Sequence, residues 1–140
     1  MKRFSKVLGT GVVFALAILM AADLTQVDNN RFTATPVIAN GTSQSDGIAT
    51  KGATVLGVQM PAAWDAASIS FLVSADGVTY GPLKDSTGSE ITISVSAGDA
   101  ISLAPADFAV WTHVKIRSGT SGAPVNQTAD RAIKVMLGVV

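Results

Sequence analysis

The side chains best suited to catalysis are one histidine and several scattered carboxylates. His113, the only histidine, lies in a β-type run beside Lys115, and no serine sits in a nucleophile-elbow motif. No recognisable motif therefore supplies a serine or cysteine nucleophile for this base to activate, and one histidine cannot build a multi-histidine zinc site. We therefore interpret His113 as a surface strand residue and expect no enzyme activity, no cofactor and no metal site.

Six carboxylates fall in turn-rich stretches of the sequence, at Asp65, Asp76, Asp85, Glu90, Asp99 and Asp107. Paired carboxylates could hydrolyse glycosides or bind calcium, but no segment has the alternating acidic spacing of a calcium loop. Aspartate in a loop more often accepts hydrogen bonds from the backbone of its own turn. We expect these acids to stabilise turns or to cap short helical segments.

Five residues offer recognition chemistry, namely Trp64, Tyr80, Trp111, Arg117 and Arg131. Exposed aromatic rings could stack on sugars, whereas buried rings would fill the ends of a β-domain. The two arginines flank the longest loop-like stretch of the chain, where they could pair with acids or bind a glycan. These five side chains are our predicted ligand or partner contacts, with burial as the alternative for the aromatics.

Short β-type runs separated by turn residues occupy the chain after residue 30 and must position these side chains. The predicted strands are Arg31–Ala39, Gly47–Thr50, Thr54–Met60, Ser68–Ser74, Thr79–Lys84, Glu90–Ser96, Ala100–Leu103, Trp111–Arg117 and Ala132–Val139. In the run 111–117, Val114 and Ile116 alternate with His113, Lys115 and Arg117, which predicts one apolar and one polar face.

The turns between these runs have characteristic residues. Asp76-Gly77 predicts a tight hairpin, because glycine adopts positive φ angles without strain. Pro61–Trp64 and Pro105–Phe108 predict short helical turns, each with proline near its start. Short strands at this spacing, with no long helix in the body, predict an all-β fold, an antiparallel β-sandwich of jelly-roll form over residues 31–140.

Composition narrows the classes of partner. The chain has 140 residues and no cysteine, which excludes disulfides and thiolate metal sites. From Asp23 onward, seven basic residues stand against ten acidic ones, a net charge of −3. A mildly acidic domain lacks the basic face that phosphate attraction requires, so we expect no nucleic-acid partner.

The N-terminal segment differs from the rest of the chain. Residues 1–22 begin with Lys2, Arg3 and Lys6 and continue with an uncharged apolar stretch from Val7 to Ala22, which predicts a helical segment. This pattern is typical of a secretory signal peptide, but it also suits a membrane anchor or an arm buried in an assembly. All three interpretations stay open. Residues 23–30 are polar and are interpreted as a linker.

Four short motifs resemble a known group of proteins. They are Met60–Trp64 (MPAAW), Phe71–Gly77 (FLVSADG), Lys115–Thr120 (KIRSGT) and Gln127–Arg131 (QTADR). They are similar to segments of a recurrent small protein encoded among the structural genes of tailed bacteriophages, and the resemblance spans roughly residues 35–137. The hairpin motif is also similar to one in galactose-binding-like jelly rolls, including carbohydrate-binding modules.

The resemblance implies a virion component, either a capsid decoration or cement protein or a fibre-like part. Its expected partners are the major capsid protein or other virion proteins, and copies of itself in a homo-oligomer such as a trimer. The alternative is a carbohydrate-binding β-sandwich on a virion or cell surface. The apolar N-terminal segment departs from this group and leaves open a secreted or membrane-anchored bacterial surface protein.

Overall fold

The structure is a computed structural model, and it describes residues 21–140. Thirteen strands and one 3-10 turn, Pro105–Asp107, occur in this part of the chain. In chain order the strands are β1 (Ala21–Ala22), β2 (Thr25–Asp28), β3 (Arg31–Ala34), β4 (Val37–Ile38), β5 (Gly47–Ala49), β6 (Thr54–Gln59), β7 (Ile69–Ser74), β8 (Gly81–Pro82), β9 (Thr92–Ile93), β10 (Ala100–Ser102), β11 (His113–Ser118), β12 (Arg131–Ala132) and β13 (Lys134–Gly138).

Two main sheets organise these strands. The first sheet has the order β1-β5-β11-β7-β8, and β9 also pairs with β7. The second sheet has the order β10-β6-β13-β3-β2, and β12 pairs with β4 in a small third sheet. Every pairing is antiparallel apart from β1 with β5. The prediction of an all-β fold with antiparallel sheets is confirmed.

One hydrophobic core receives side chains from both main sheets. Phe71 and Ile116 come from the first sheet, and Val135 and Leu137 come from the second. Phe71 meets Phe108, which follows the 3-10 turn, edge to face with ring centroids 5.0 Å apart and planes at 87°. Burying each such side chain contributes about 1.5–3 kcal/mol. The arrangement is β-sandwich-like.

Several predicted strands are shorter than the sequence pattern suggested. The run 31–39 divides at Pro36, which has no N–H for a ladder, and its halves β3 and β4 join different sheets. The runs 79–84 and 90–96 contain only the two-residue strands β8 and β9. The 3-10 turn at Pro105–Asp107 confirms one predicted helical turn, whereas residues 61–64 are not helical.

The region interpreted as a linker, residues 23–30, contains strand β2 instead. Thr25 and Val27 suit a strand, and β2 pairs antiparallel with β3. The Asp28 carboxylate accepts a hydrogen bond from the Asn30 N–H at 3.0 Å and so closes the turn of this hairpin.

The predicted N-terminal helix falls largely outside the described residues. Its last two positions, Ala21 and Ala22, form strand β1, and residues 1–20 lie outside the described part of the chain. Within residues 21–140 there is no helix with the length and apolarity needed to cross a membrane.

Candidate functional site

Strand β11 has the two faces that the alternation predicted. Val114 and Ile116 are buried in the core, and His113, Lys115 and Arg117 lie on the other face. The loop between β7 and β8 folds back across the His113 and Lys115 part of this outer face. A Cβ atom added to Gly77 of that loop would lie only 2.7 Å from His113 Nε2, so the loop backbone rests on the imidazole ring. The Thr112 hydroxyl lies 2.9 Å from Nδ1 of the same ring.

The covering loop, residues 75–80, replaces the tight two-residue hairpin predicted at Asp76-Gly77. The Asp76 Oδ1 atom accepts hydrogen bonds from the N–H groups of Val78 and Thr79 at 2.8 and 2.9 Å and from the Ser74 hydroxyl at 2.9 Å. Hydrogen bonds from Thr79, Val78 and Ser74 lower the pKa of Asp76 from 3.8 to about 2. The aspartate therefore organises a wider turn, as expected of the loop acids, and it stays ionised at neutral pH.

This geometry predicts a specific acid sensitivity. Because the folded-state pKa of Asp76 is depressed, the stability that it contributes is complete above its unfolded pKa and is lost as the pH falls through about 4 toward 2. Asp76→Asn keeps an acceptor oxygen for the turn but removes the titration. We expect the urea midpoint of the variant to fall less steeply than that of the unmodified protein over this pH window. Parallel slopes for the two proteins would contradict the assignment.

A cavity of about 400 Å³ opens beside this loop, and we call it the Tyr80–Trp111 pocket. Its lining includes Tyr80, Trp111, Asp76, Pro82 and Lys84. The structure thus brings together two of the five predicted contact residues, both half-buried. Sequence reasoning did not single out Lys84 or Pro82, because only the return of the chain at β8 places them next to Trp111.

Trp64, the third predicted aromatic contact, does not line this pocket. Its indole N–H donates to the Ala67 carbonyl oxygen at 3.0 Å, and the ring packs against the hydrophobic core. The structure therefore brings two of the three predicted aromatic contacts together at this pocket and leaves Trp64 apart from them. Trp64 holds the irregular segment between β6 and β7 against the domain.

Tyr80 is fixed in place from two sides. The Lys115 ammonium lies 4.4 Å from the ring centroid, a cation–π contact. At the other end of the side chain, a Cβ atom on Gly47 would lie 2.5 Å from the Tyr80 hydroxyl oxygen, so glycine makes room for the phenol. Burial, and secondarily the Asp76 charge, raises the pKa of Tyr80. The phenol is therefore neutral and available as a hydrogen-bond donor or acceptor.

Arg117, another of the five predicted contact residues, is an internal residue with 6% of its area exposed. Its guanidinium pairs with the Glu90 carboxylate and donates through Nε to the Ser70 hydroxyl at 3.0 Å. Glu90 also accepts from the N–H and hydroxyl of Ser121. Burial works against ionisation of Glu90, but the Ser121 hydrogen bonds and the Arg117 charge outweigh it and hold the pKa of Glu90 below its usual value.

Arg131 is likewise engaged within the domain. It bonds the Asp65 carboxylate at 3.0 Å and the Gln127 side-chain oxygen at 3.1 Å. Gln127 is fully buried, and its amide nitrogen donates to the Asp65 carbonyl at 3.2 Å and to the Ser118 hydroxyl at 2.8 Å. The two arginines thus pair with acids, one of the two predicted alternatives, and they anchor the loop 119–130 to the sheets. The structural role of Gln127 was missed.

The described residues contain no group of three or more histidine, aspartate or glutamate side chains placed to hold a metal ion. No protein-family model, curated protein or solved structure matches this chain. Its functional assignment therefore depends on the geometry above and on the motifs quoted from the sequence.

Proposed function

We propose that this chain is a structural virion protein, a capsid decoration, cement or fibre-like component built on a jelly-roll β-sandwich. It stabilises the particle through contacts between subunits. The resemblance of four short motifs to segments of small tailed-phage structural proteins supports this proposal.

One observation carries the proposal, namely an exposed assembly edge formed by β2, Val139 and Val140. All four residues of β2 are exposed, and this strand ends the second sheet. Val27 is 58% exposed, and Val139 and Val140 are also exposed. The Val139 N–H donates to the Asn30 carbonyl at 2.9 Å, which brings the last residues of the chain to the β2–β3 turn.

A sheet edge of this kind favours association. Unpaired backbone groups along an edge strand can pair with another chain, and exposed apolar side chains lose water when a neighbour covers them. Decoration of this type stabilises a particle by mass action, because the protein binds the assembled lattice and not its dissociated subunits. Lasting attachment requires an interface of about 1,000 Å² or more. The exposed assembly edge would form this side of the interface, and the major capsid protein or another copy of the chain, as in a trimer, would form the other side.

Location provides the direct test. Particles from a lysate of the host carrying this gene are purified on a density gradient, treated with protease to remove adhering protein, and analysed by quantitative mass spectrometry. We expect the chain at a fixed stoichiometry to the major capsid protein. Its absence from such particles would overturn the proposal. The N-terminal peptide in the same spectra reports whether residues 1–22 are retained as an arm or anchor or have been removed.

Substitutions at the exposed assembly edge test its role in assembly. Val27→Asp places a charge where we expect a desolvated contact, and binding to particles, or self-association measured by native mass spectrometry, should weaken about tenfold or more. Val78→Asp is the matched control, since Val78 is 82% exposed but lies in the loop 75–80. Both variants should keep the urea midpoint of the unmodified protein. Equal losses of association would refute the role of the edge.

A further inference from the structure

We propose that the Tyr80–Trp111 pocket binds a neutral pyranose sugar. This ligand-binding role is separate from the assembly role, because the pocket shares no residue with the exposed assembly edge. Each role can fail without the other.

The size and lining of the cavity fit one small ligand. Its volume of about 400 Å³ lies near the lower end of the range of about 300–1,000 Å³ that is usual for small-molecule sites. Tyr80, Trp111 and Pro82 supply aromatic and apolar surface, whereas Asp76 and Lys84 supply charge. A pyranose matches this mixture, because its C–H face packs on an aromatic ring while its hydroxyls require hydrogen-bond partners.

Asp76 has a free acceptor for those hydroxyls. Its Oδ1 atom is used by the turn, as described above, whereas no residue of the described chain donates a hydrogen bond to Oδ2. The carboxylate is exposed, and it is held in position by the backbone that it organises. A fixed carboxylate oxygen that lines a cavity beside aromatic rings is well placed to accept a bond from a sugar hydroxyl.

The two charges in the lining favour a neutral ligand. Lys84 is exposed and forms no salt bridge among the described residues, so its ammonium can donate to a hydroxyl or ring oxygen. An acidic sugar would gain from Lys84 but would also face the Asp76 carboxylate across the same small cavity. A neutral sugar uses both side chains without this repulsion.

The aromatic walls are ordered before any ligand arrives. The Lys115 ammonium contacts the Tyr80 ring, and the Tyr80 hydroxyl fits closely against the backbone at Gly47. Trp111 packs against the core. The backbone N–H of Thr112, next to Trp111, donates to the Ser74 carbonyl at 3.1 Å and so ties this end of β11 to the start of the loop 75–80. Because these side chains are already fixed, binding loses little conformational entropy to order the site.

Fluorescence can report directly on Trp111 in the full chain. Trp64→Phe removes the other tryptophan, which lies outside the pocket, and methyl β-glucopyranoside, methyl β-galactopyranoside and methyl β-N-acetylglucosaminide are the probes. We expect a saturable change with at least one probe and a Kd of about 1 mM, as suits a one-sugar site. Methyl β-glucuronide should bind about tenfold more weakly than the best neutral probe. Saturation-transfer NMR on the unmodified full chain provides an independent readout.

Matched lysine variants locate the site. Lys84→Ala should weaken binding about fivefold to tenfold, whereas Lys134→Ala, an exposed lysine on β13, should leave it unchanged. The proposal is overturned if none of the three neutral probes gives a saturable signal by NMR. It is also overturned if the two lysine variants behave alike, or if the glucuronide binds as tightly as the best neutral sugar.

Discussion

We expect Arg117→Met to lower the free energy of unfolding by about 3 kcal/mol or more. Methionine fills similar space, so the loss comes from the charge and hydrogen bonds and not from a cavity. Glu90 would keep its Ser121 partners but lose its counter-charge, and the Ser70 hydroxyl would lose the Nε donor. Urea unfolding followed by circular dichroism, with linear extrapolation to water, measures the change.

An exposed ion pair in the same domain provides the control. Arg31 pairs with Asp28 at 3.2 Å, and their side chains are 64% and 47% exposed. Arg31→Met should therefore change stability by less than about 1 kcal/mol, because water already solvates both charges. Similar losses for the two variants would mean that burial does not strengthen the Arg117–Glu90 pair, and the anchoring role given to Arg117 would be wrong.

The same pair shows what a single sequence could and could not predict. Alternation in 111–117 predicted correctly that Arg117 faces away from the core. An outward position is usually exposed, but two separate segments, one carrying Glu90 and the other carrying Ser121, cover this end of the sheet. Glu90 lies 27 residues before Arg117, and no local pattern links them. The strand could be predicted from periodicity, whereas the cover over it depends on contacts between distant segments.

The Tyr80–Trp111 pocket likewise depends on contacts between distant segments that the sequence does not reveal. Tyr80 and Trp111 were identified by residue type, but so was Trp64, and nothing in the sequence separates the two tryptophans. Their difference arises because Trp64 closes a local hydrogen bond to Ala67, three residues ahead, whereas Trp111 stands where β11 begins beside the end of β7. Loop chemistry was easier to predict, since Asp76 and Asp85 accept bonds from the backbone of their own turns.

Gly119→Ala should be the other strongly destabilising substitution, with a loss of about 2–5 kcal/mol. Gly119 has φ +87°, a conformation that costs an L-residue about 1–2 kcal/mol. Its backbone also passes close to the chain that returns after the turn. A Cβ atom there would overlap the Ala123 carbonyl oxygen and would lie 2.8 Å from the Val125 nitrogen. Backbone atoms cannot rotate away as a side chain can, so overpacking adds about 1–3 kcal/mol.

Gly88→Ala separates these two effects. Gly88 has the same φ of +87°, but a Cβ atom at this exposed turn would meet nothing within 4 Å. Its loss should reflect the backbone conformation alone, about 1–2 kcal/mol. The difference between the two variants in urea unfolding then measures the close approach at Gly119. If they lose equal stability, the segment 119–125 yields easily to the added methyl group. The loop 119–130 would then not be rigidly held against the first sheet, despite its hydrogen bonds from Ser121 to Glu90 and from Gln127 to Ser118.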